Sequence, residues 1–438
     1  MQNAFDPRSF LLQAERTMLP VYAGVARRSA TGKLSSLLSA FMLDKMLDYK
    51  AAQEMFFPFA PRFDFERFAA LNGEVTHQAV SSWMLLCDLL SRDPAAGRLA
   101  LQHLEEFQRV TTTPFPIAQT PRECVAQFGI VKLYRYLPMP GVISGGIPLL
   151  LSYAIMNTPG ILDLRRGGSL IERLVREGFI VYLIDWGHPT ASESGWSFET
   201  YALELLPKIV ARVKELSNSK ELSILGWCLG ALISVIYASM LPDEGLRNLI
   251  ILTAPLDFSC EGLTFKNLLE RVDVEKVLRA YGGNMPAWLI NEGAQGLSPV
   301  DNTYGSLLAL VRSLGNPDAV DRWHAMDTWL RLKVPMAGGA FRQLASLYRD
   351  NLLTTDRLVM AGRVVDLRNV QASVRAIVAK GDRITPDWQT RIGVKKMTGS
   401  PDVSLAEVEG GHIGGIVGPQ AQQKVWPEMV AWLAERSN

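Results

Sequence analysis

Three residues combine the types and settings needed for acyl transfer: Cys228, Asp382 and His412. Cys228 lies in Leu222-Ser223-Ile224-Leu225-Gly226-Trp227-Cys228-Leu229-Gly230-Ala231-Leu232-Ile233. An aliphatic run enters Gly-x-Cys-x-Gly and an apolar, helix-like run leaves it, which predicts a strand, a sharp turn and a helix with the thiol at the tip. Gly226 and Gly230 supply the room such a strained turn needs. Asp382 follows the buried-strand pattern Val374–Ala379 in Lys380-Gly381-Asp382. His412 follows the last predicted strand, Ser404–Val408, in Glu409-Gly410-Gly411-His412-Ile413-Gly414-Gly415. Taken singly, a turn aspartate caps its own loop and a lone histidine is structural. Together, in the order nucleophile, acid, base and each just past a strand, they gather at one edge of a sheet.

The chemistry follows from the residue types. An imidazole beside a thiol favours the thiolate, the reactive form. A carboxylate behind the imidazole fixes its tautomer and stabilises the imidazolium. A tetrahedral oxyanion needs backbone donors. Leu229 N–H is one candidate, and the loop after Leu149–Ala154, around Met156, offers the other. A thiolate exchanges readily with a thioester because attacking and leaving groups are alike, so the expected substrate is an acyl thioester. The competing histidines have weaker settings. His77 and His103 fall in helical texture, His324 in an inserted segment, and His188 in the turn Trp186-Gly187-His188-Pro189, where it reads first as a turn residue and second as an active-site neighbour.

The chain has 438 residues, 48% hydrophobic and 20% charged, with formal net charge +1. Length and composition suit one large enzyme domain with an extension, and the near-zero charge gives no reason to expect a nucleic-acid partner. The four cysteines, Cys87, Cys124, Cys228 and Cys260, are widely spaced. No Cys-x-x-Cys pair occurs, so no metal site is expected. Sparse cysteine suits a reducing compartment. With no signal-like start and no stretch approaching the roughly 18 apolar residues of a membrane span, a cytoplasmic protein is expected.

The elements that must position the three residues are readable in outline. Residues 1–120 mix apolar and polar residues at helical spacing in Phe10–Val25, Leu34–Tyr49, Val80–Leu90 and Gly97–Val110, which predicts a helical N-terminal region. From about residue 125 strand and helix patterns alternate: strands at Leu149–Ala154, Phe179–Ile184, Leu222–Leu225 and Leu249–Leu252, with helices at Ser169–Glu177, Phe198–Leu216 and Leu229–Met240 between them. Ser169, followed by Glu172, has the spacing of a capping box. Such alternation argues for a mainly parallel sheet flanked by helices. The segment 257–350 breaks the rhythm with helical and loop patterns, the size and place of a cap over a site. Its Trp288, Trp323, Trp329 and Tyr348 suit either a core or the lining of an apolar channel. The expected organisation is therefore 1–120, then an α/β-hydrolase-type catalytic domain over 121–438 with a cap at 257–350.

From about Thr120 onward the chain resembles the polyhydroxyalkanoate synthases of the α/β-hydrolase superfamily. The resemblance lies in Pro148–Asn157, Ile161-Leu162-Asp163-Leu164, Val181–Gly187, Gly226-Trp227-Cys228-Leu229-Gly230, Tyr348–Leu353, Val365-Asp366-Leu367, Lys380-Gly381-Asp382 and Gly410-Gly411-His412-Ile413. It implies Cys228 as nucleophile, Asp382 as acid and His412 as general base. It also implies (R)-3-hydroxyacyl-coenzyme A as substrate, a growing polyester as product, and no cofactor beyond the coenzyme A that arrives with the substrate. A homodimer, an accessory synthase subunit and granule proteins are the partners it implies, with location at a polyester granule surface. The chain departs from the family pattern at Ala231, usually glycine, at Arg383, usually histidine, and in Trp329–Pro335, which lacks acidic residues typical of the cap. A thioesterase or other acyltransferase of the same fold, and a catalytically idle granule scaffold, are the competing expectations.

Overall fold

The computed structural model describes residues 94–259, 273–295, 305–332 and 334–437, together with Lys266 and Leu269. The helices expected at Phe10–Val25, Leu34–Tyr49 and Val80–Leu90 lie outside these residues, whereas α1 (Pro94–Thr112) covers the stretch Gly97–Val110. The described residues fall into two compact units. One contains 94–112 and 305–315, including the helix α7 (Ser306–Ser313); the other contains 113–259, 273–295, 316–332 and 334–437.

The second unit is built on an eight-stranded sheet in the order β1-β2-β4-β3-β5-β6-β9-β10. Its strands are β1 (Arg122–Phe128), β2 (Val131–Tyr136), β3 (Gly145–Ser152), β4 (Phe179–Asp185), β5 (Leu222–Trp227), β6 (Leu246–Leu252), β9 (Ser373–Ala379) and β10 (Val403–Val408). β1 and β2 pair antiparallel, as do β2 and β4, and every other pairing is parallel. The hairpin β1–β2 was not foreseen in the strand pattern. β1 is an edge strand with a half-exposed, charged sequence, so no apolar run announces it. A two-stranded hairpin, β7 (Val359–Met360) and β8 (Arg363–Val364), stands apart from the sheet.

The central strands read as continuous apolar runs because both faces are covered. Leu149, Leu150 and Leu151 of β3 and Leu222, Ile224 and Leu225 of β5 are all essentially inaccessible. The covering helices include α2 (Leu170–Arg176), α3 (Leu206–Ser217), α4 (Leu229–Met240), α10 (Asp387–Lys395), the short α11 (Gly414–Val417) and α12 (Trp426–Ala434). α4 is buried at every position, as a helix apolar all round must be. Each of its Leu, Ile and Val side chains contributes about 1.5–3 kcal/mol by leaving water.

Local signals are partly realised. Ser169 caps α2 by accepting the Glu172 N–H at 2.9 Å. The Glu172 carboxylate does not complete a capping box. It accepts the Gly167 N–H at 2.6 Å and pairs with Arg176, because a charged partner and a loop donor compete for it. The long helix expected over Phe198–Leu216 begins as a π-helical turn, Thr200–Leu205, before α3. Between β6 and β7 the described elements are helices: α5 (Val274–Ala280), α6 (Ala287–Gln295), α7, α8 (Pro317–Arg331) and α9 (Gly338–Asp350). No helix among the described residues is long and apolar enough to cross a membrane.

Candidate active site

Cys228 occupies the turn between β5 and α4 with φ 55° and ψ −124°, a strained region for a residue with a Cβ. The strain is held by packing on both sides. A Cβ on Gly226 would come 2.5 Å from the Ala231 Cα, and one on Gly230 would come 2.1 Å from the Ser152 carbonyl oxygen and 2.5 Å from that of Tyr153. The first turn of α4 therefore lies against the end of β5 and the end of β3. Ala231, the departure from the family pattern, is fully buried at this contact, so its methyl is accommodated where glycine is usual.

Asp382 follows β9 and His412 follows β10, both at the sheet edge reached by β5. His412 Nδ1 and Asp382 Oδ2 are 2.7 Å apart, with side-chain exposures of 9% and 0%. The other Asp382 oxygen accepts the N–H groups of Ile384 and Thr385, each at 2.8 Å. The carboxylate thus both folds its own turn and holds the imidazole. The Cys228 side chain lies within electrostatic reach of the same ring. Burial disfavours a charged imidazole, but the Cys228 and Asp382 charges outweigh it and raise the His412 pKa to about 10. Arg383 is exposed beside this group.

The two candidate oxyanion donors lie on neighbouring segments. Leu229 opens α4, while Met156 lies in the turn that follows β3. That turn is anchored by Trp186, whose indole N–H donates to the Tyr153 carbonyl at 2.9 Å. The other histidines are placed elsewhere. His188 is exposed after β4, and His324 is buried in α8 with Nε2 2.5 Å from the Thr113 carbonyl oxygen. His103 lies on α1 in the other unit, and His77 is outside the described residues.

Several residues near the thiol are given no catalytic role by the sequence, Tyr348 among them, which it marks only as a core or channel aromatic. Tyr153 and Tyr348 are buried phenols whose pKa is raised by desolvation and further by the Cys228 charge. The Trp227 ring lies against both Tyr153 and His412. Asp257, after β6, is a buried carboxylate held by neutral donors. It accepts from Ser259, Thr354 and Asn351, and these bonds outweigh burial to hold its pKa low. Trp227 and Tyr153 stand beside positions the sequence does mark, the elbow and the end of β3; Asp257 follows a strand as Asp382 does, without a neighbouring glycine.

A mainly parallel sheet with an antiparallel edge, and an elbow, an acid and a histidine at its strand ends, define an α/β-hydrolase. A family model described as the alpha/beta hydrolase fold matches residues 158–291. A soluble variant of the Saccharomyces cerevisiae monoglyceride lipase shares the fold at TM-score 0.51 and 14% identity, covering 74% of this chain and 99% of that one. The poly(3-hydroxyalkanoate) polymerase subunit PhaC of Allochromatium vinosum is 31% identical over 319 residues, 72% of this chain and 89% of the relative. The Synechocystis PhaC is 30% identical over 346 residues, 77% of this chain and 90% of the relative. That of Haloferax mediterranei is 29% identical over 361 residues, 81% and 70% of the two chains. The chain belongs to the poly(3-hydroxyalkanoate) polymerase family.

Proposed function

We propose that the protein polymerises (R)-3-hydroxyacyl-coenzyme A into polyester through an acyl-Cys228 intermediate. The observation that carries this reading is the His412 ring paired with Asp382 at 2.7 Å and within electrostatic reach of Cys228, in a chain whose relatives are named as polyester polymerases.

The Cys228 thiolate attacks the thioester carbonyl, and the tetrahedral oxyanion is met by the N–H of Leu229 and of Met156. Collapse expels the coenzyme A thiolate, which takes the proton from the His412 imidazolium. The hydroxyl of a bound or growing acyl chain then attacks the acyl-cysteine. His412 takes the hydroxyl proton, a carbon–oxygen ester bond forms, and the Cys228 thiolate leaves. Asp382 keeps Nδ1 protonated and Nε2 facing the sulfur throughout. Every bond change is a nucleophilic acyl substitution, so the scheme calls for no metal or redox cofactor; coenzyme A enters as the leaving group of the substrate. The relatives' designation as subunits fits an assembly in which this chain, alone as a dimer or with a second subunit, works at the surface of the growing polyester.

The test is coenzyme A release and product analysis from (R)-3-hydroxybutyryl-coenzyme A. Wild-type protein should give solvent-extractable polyester, and Cys228→Ala neither polyester nor coenzyme A. Coenzyme A release by Cys228→Ala at the wild-type rate overturns the nucleophile assignment. Free hydroxy acid in place of polymer makes the protein a thioesterase.

A further inference from the structure

The hydrogen bond between Asp382 and His412 fixes one ring nitrogen and leaves the imidazole free to swing about the Nδ1···Oδ2 line. A second contact is needed to aim Nε2 at the sulfur. The ring that supplies it belongs to the residue immediately before the thiol. The Trp227 and His412 ring centroids are 6.3 Å apart, with the planes tilted by 42°. We propose that Trp227 is a positioning residue for His412, an aromatic wall that sets the plane of the imidazole. This rests on the reading of His412 as the base that serves Cys228.

The indole is held by packing, not by a hydrogen bond. Its Nε1 is buried without a hydrogen-bond partner among the described residues, and the residue is wholly inaccessible. Tyr153, directly after β3, meets it edge-on at 5.2 Å and 75°, an arrangement aromatic pairs favour. Trp329 of α8 meets Tyr153 in turn at 6.4 Å and 69°. Trp329 is itself fixed, its indole N–H donating to the Thr158 carbonyl at 2.9 Å. A chain of rings thus runs from a tryptophan anchored by a hydrogen bond to the imidazole. A phenyl ring at 227 would bury no unpaired donor, yet it would be too short to keep both contacts. The site retains the larger ring and tolerates the orphaned N–H. At 6.3 Å the indole is at the outer limit of cation–π attraction, so its effect is orientation. The charged groups that bear on His412 are Cys228 and Asp382, with the neutral phenols of Tyr153 and Tyr348 in electrostatic reach of the same sulfur.

A loosened imidazole meets Cys228 and Asp382 less well and gives up its proton more easily. The experiment is an NMR titration of the His412 ring in full-length protein with labelled histidine, together with kcat and KM. Trp227→Leu should lower the His412 midpoint by about one pH unit and kcat about tenfold with KM nearly unchanged; Trp227→Phe should give about half the shift. Cys228→Ala is the control for the underlying reading, since removing the thiolate must also lower the midpoint. If Cys228→Ala leaves the midpoint in place, the Cys228–His412 pairing is wrong, and Trp227 has nothing to position. If Cys228→Ala moves it and both Trp227 variants keep the wild-type midpoint and kcat, the role of Trp227 is overturned. Should Trp227→Leu fail to fold in a thermal melt, the Phe variant decides.

Discussion

The elbow that carries Cys228 and the loop that carries His412 face each other but are built on opposite principles. At the elbow the thiol stands between a six-residue strand and a twelve-residue helix, both buried at every position. In the loop after β10, Glu409, Gly410 and Gly414 are exposed while the His412 side chain is 9% exposed. The sulfur is located by close packing of backbone on backbone; the imidazole is located by a hydrogen bond and ring contacts. The difference makes physical sense. A thiol held at φ 55° needs surroundings that leave it no other conformation. An imidazole with the proposed role of passing protons between sulfur and hydroxyl needs its direction fixed more than its backbone.

If that contrast holds, the largest effect of a small substitution belongs to the elbow. Gly230→Ala places a methyl 2.1 Å from the Ser152 carbonyl oxygen and 2.5 Å from that of Tyr153. Both obstacles are backbone, so no rotamer relieves the clash. The cost should exceed the usual overpacking range, reaching about 3 kcal/mol or more in chemical denaturation. Coenzyme A release should fall with it, because α4 and Cys228 shift together. A folded Gly230→Ala protein with near-wild-type stability would break the comparison at its stronger end.

The next effect is on chemistry rather than stability. Asp382→Asn keeps the shape of the side chain but removes the charge that fixes the His412 tautomer, and kcat should drop by about a thousandfold or more. The same variant carries a pH signature. His412 is raised from 6.5 to about 10 in the folded protein. A raised folded-state pKa stabilises the protein fully below the unfolded value and loses that contribution as pH climbs toward the folded value. Thermal midpoints of the wild type should therefore decline from about pH 6.5 to 10, a macroscopic property of the coupled Cys228–His412 pair. In Asp382→Asn the decline should end at lower pH. Superimposable profiles of the two proteins would show that the carboxylate does not hold the imidazolium.

How far each region could be read from sequence follows from the same contrast. The elbow is legible because close backbone packing demands small residues at fixed places, so Gly226 and Gly230 bracket Cys228 visibly. Buried parallel strands are legible as apolar runs, and the loops of Asp382 and His412 could be found by where those runs stop. The β1–β2 hairpin was not, since a half-exposed edge strand with Arg122 and Glu123 at its start has no apolar run to show. Nor was the fate of Glu172, whose two partners, Gly167 and Arg176, compete locally with the capping arrangement. The ring contacts of Trp227, Tyr153 and Trp329 join residues up to 185 positions apart in numbering (227 to 412), and no local pattern encodes such a distance. Trp227 and Tyr153 sit beside legible positions, yet their types say only that they are large and apolar.

The smallest effect belongs to the histidine loop, two residues from His412. Gly414 opens α11 with nothing within 4 Å of where a Cβ would stand, and its φ is one that any residue adopts. Its neighbours differ: Gly415 packs on Ala379 and Val408, and Gly410 has φ 115°. Gly414→Ala should thus leave the loop intact and restrict only the unfolded chain, raising stability by up to about 1 kcal/mol. Turnover should stay within about twofold of wild type, because Nδ1 remains on Asp382 and the ring remains against Trp227. Denaturation midpoints and steady-state rates of Gly414→Ala beside Gly230→Ala read the two regions on one scale. A tenfold loss of kcat in Gly414→Ala, with stability unchanged, would mean that the histidine loop must move during turnover and that its openness is itself a requirement of the chemistry.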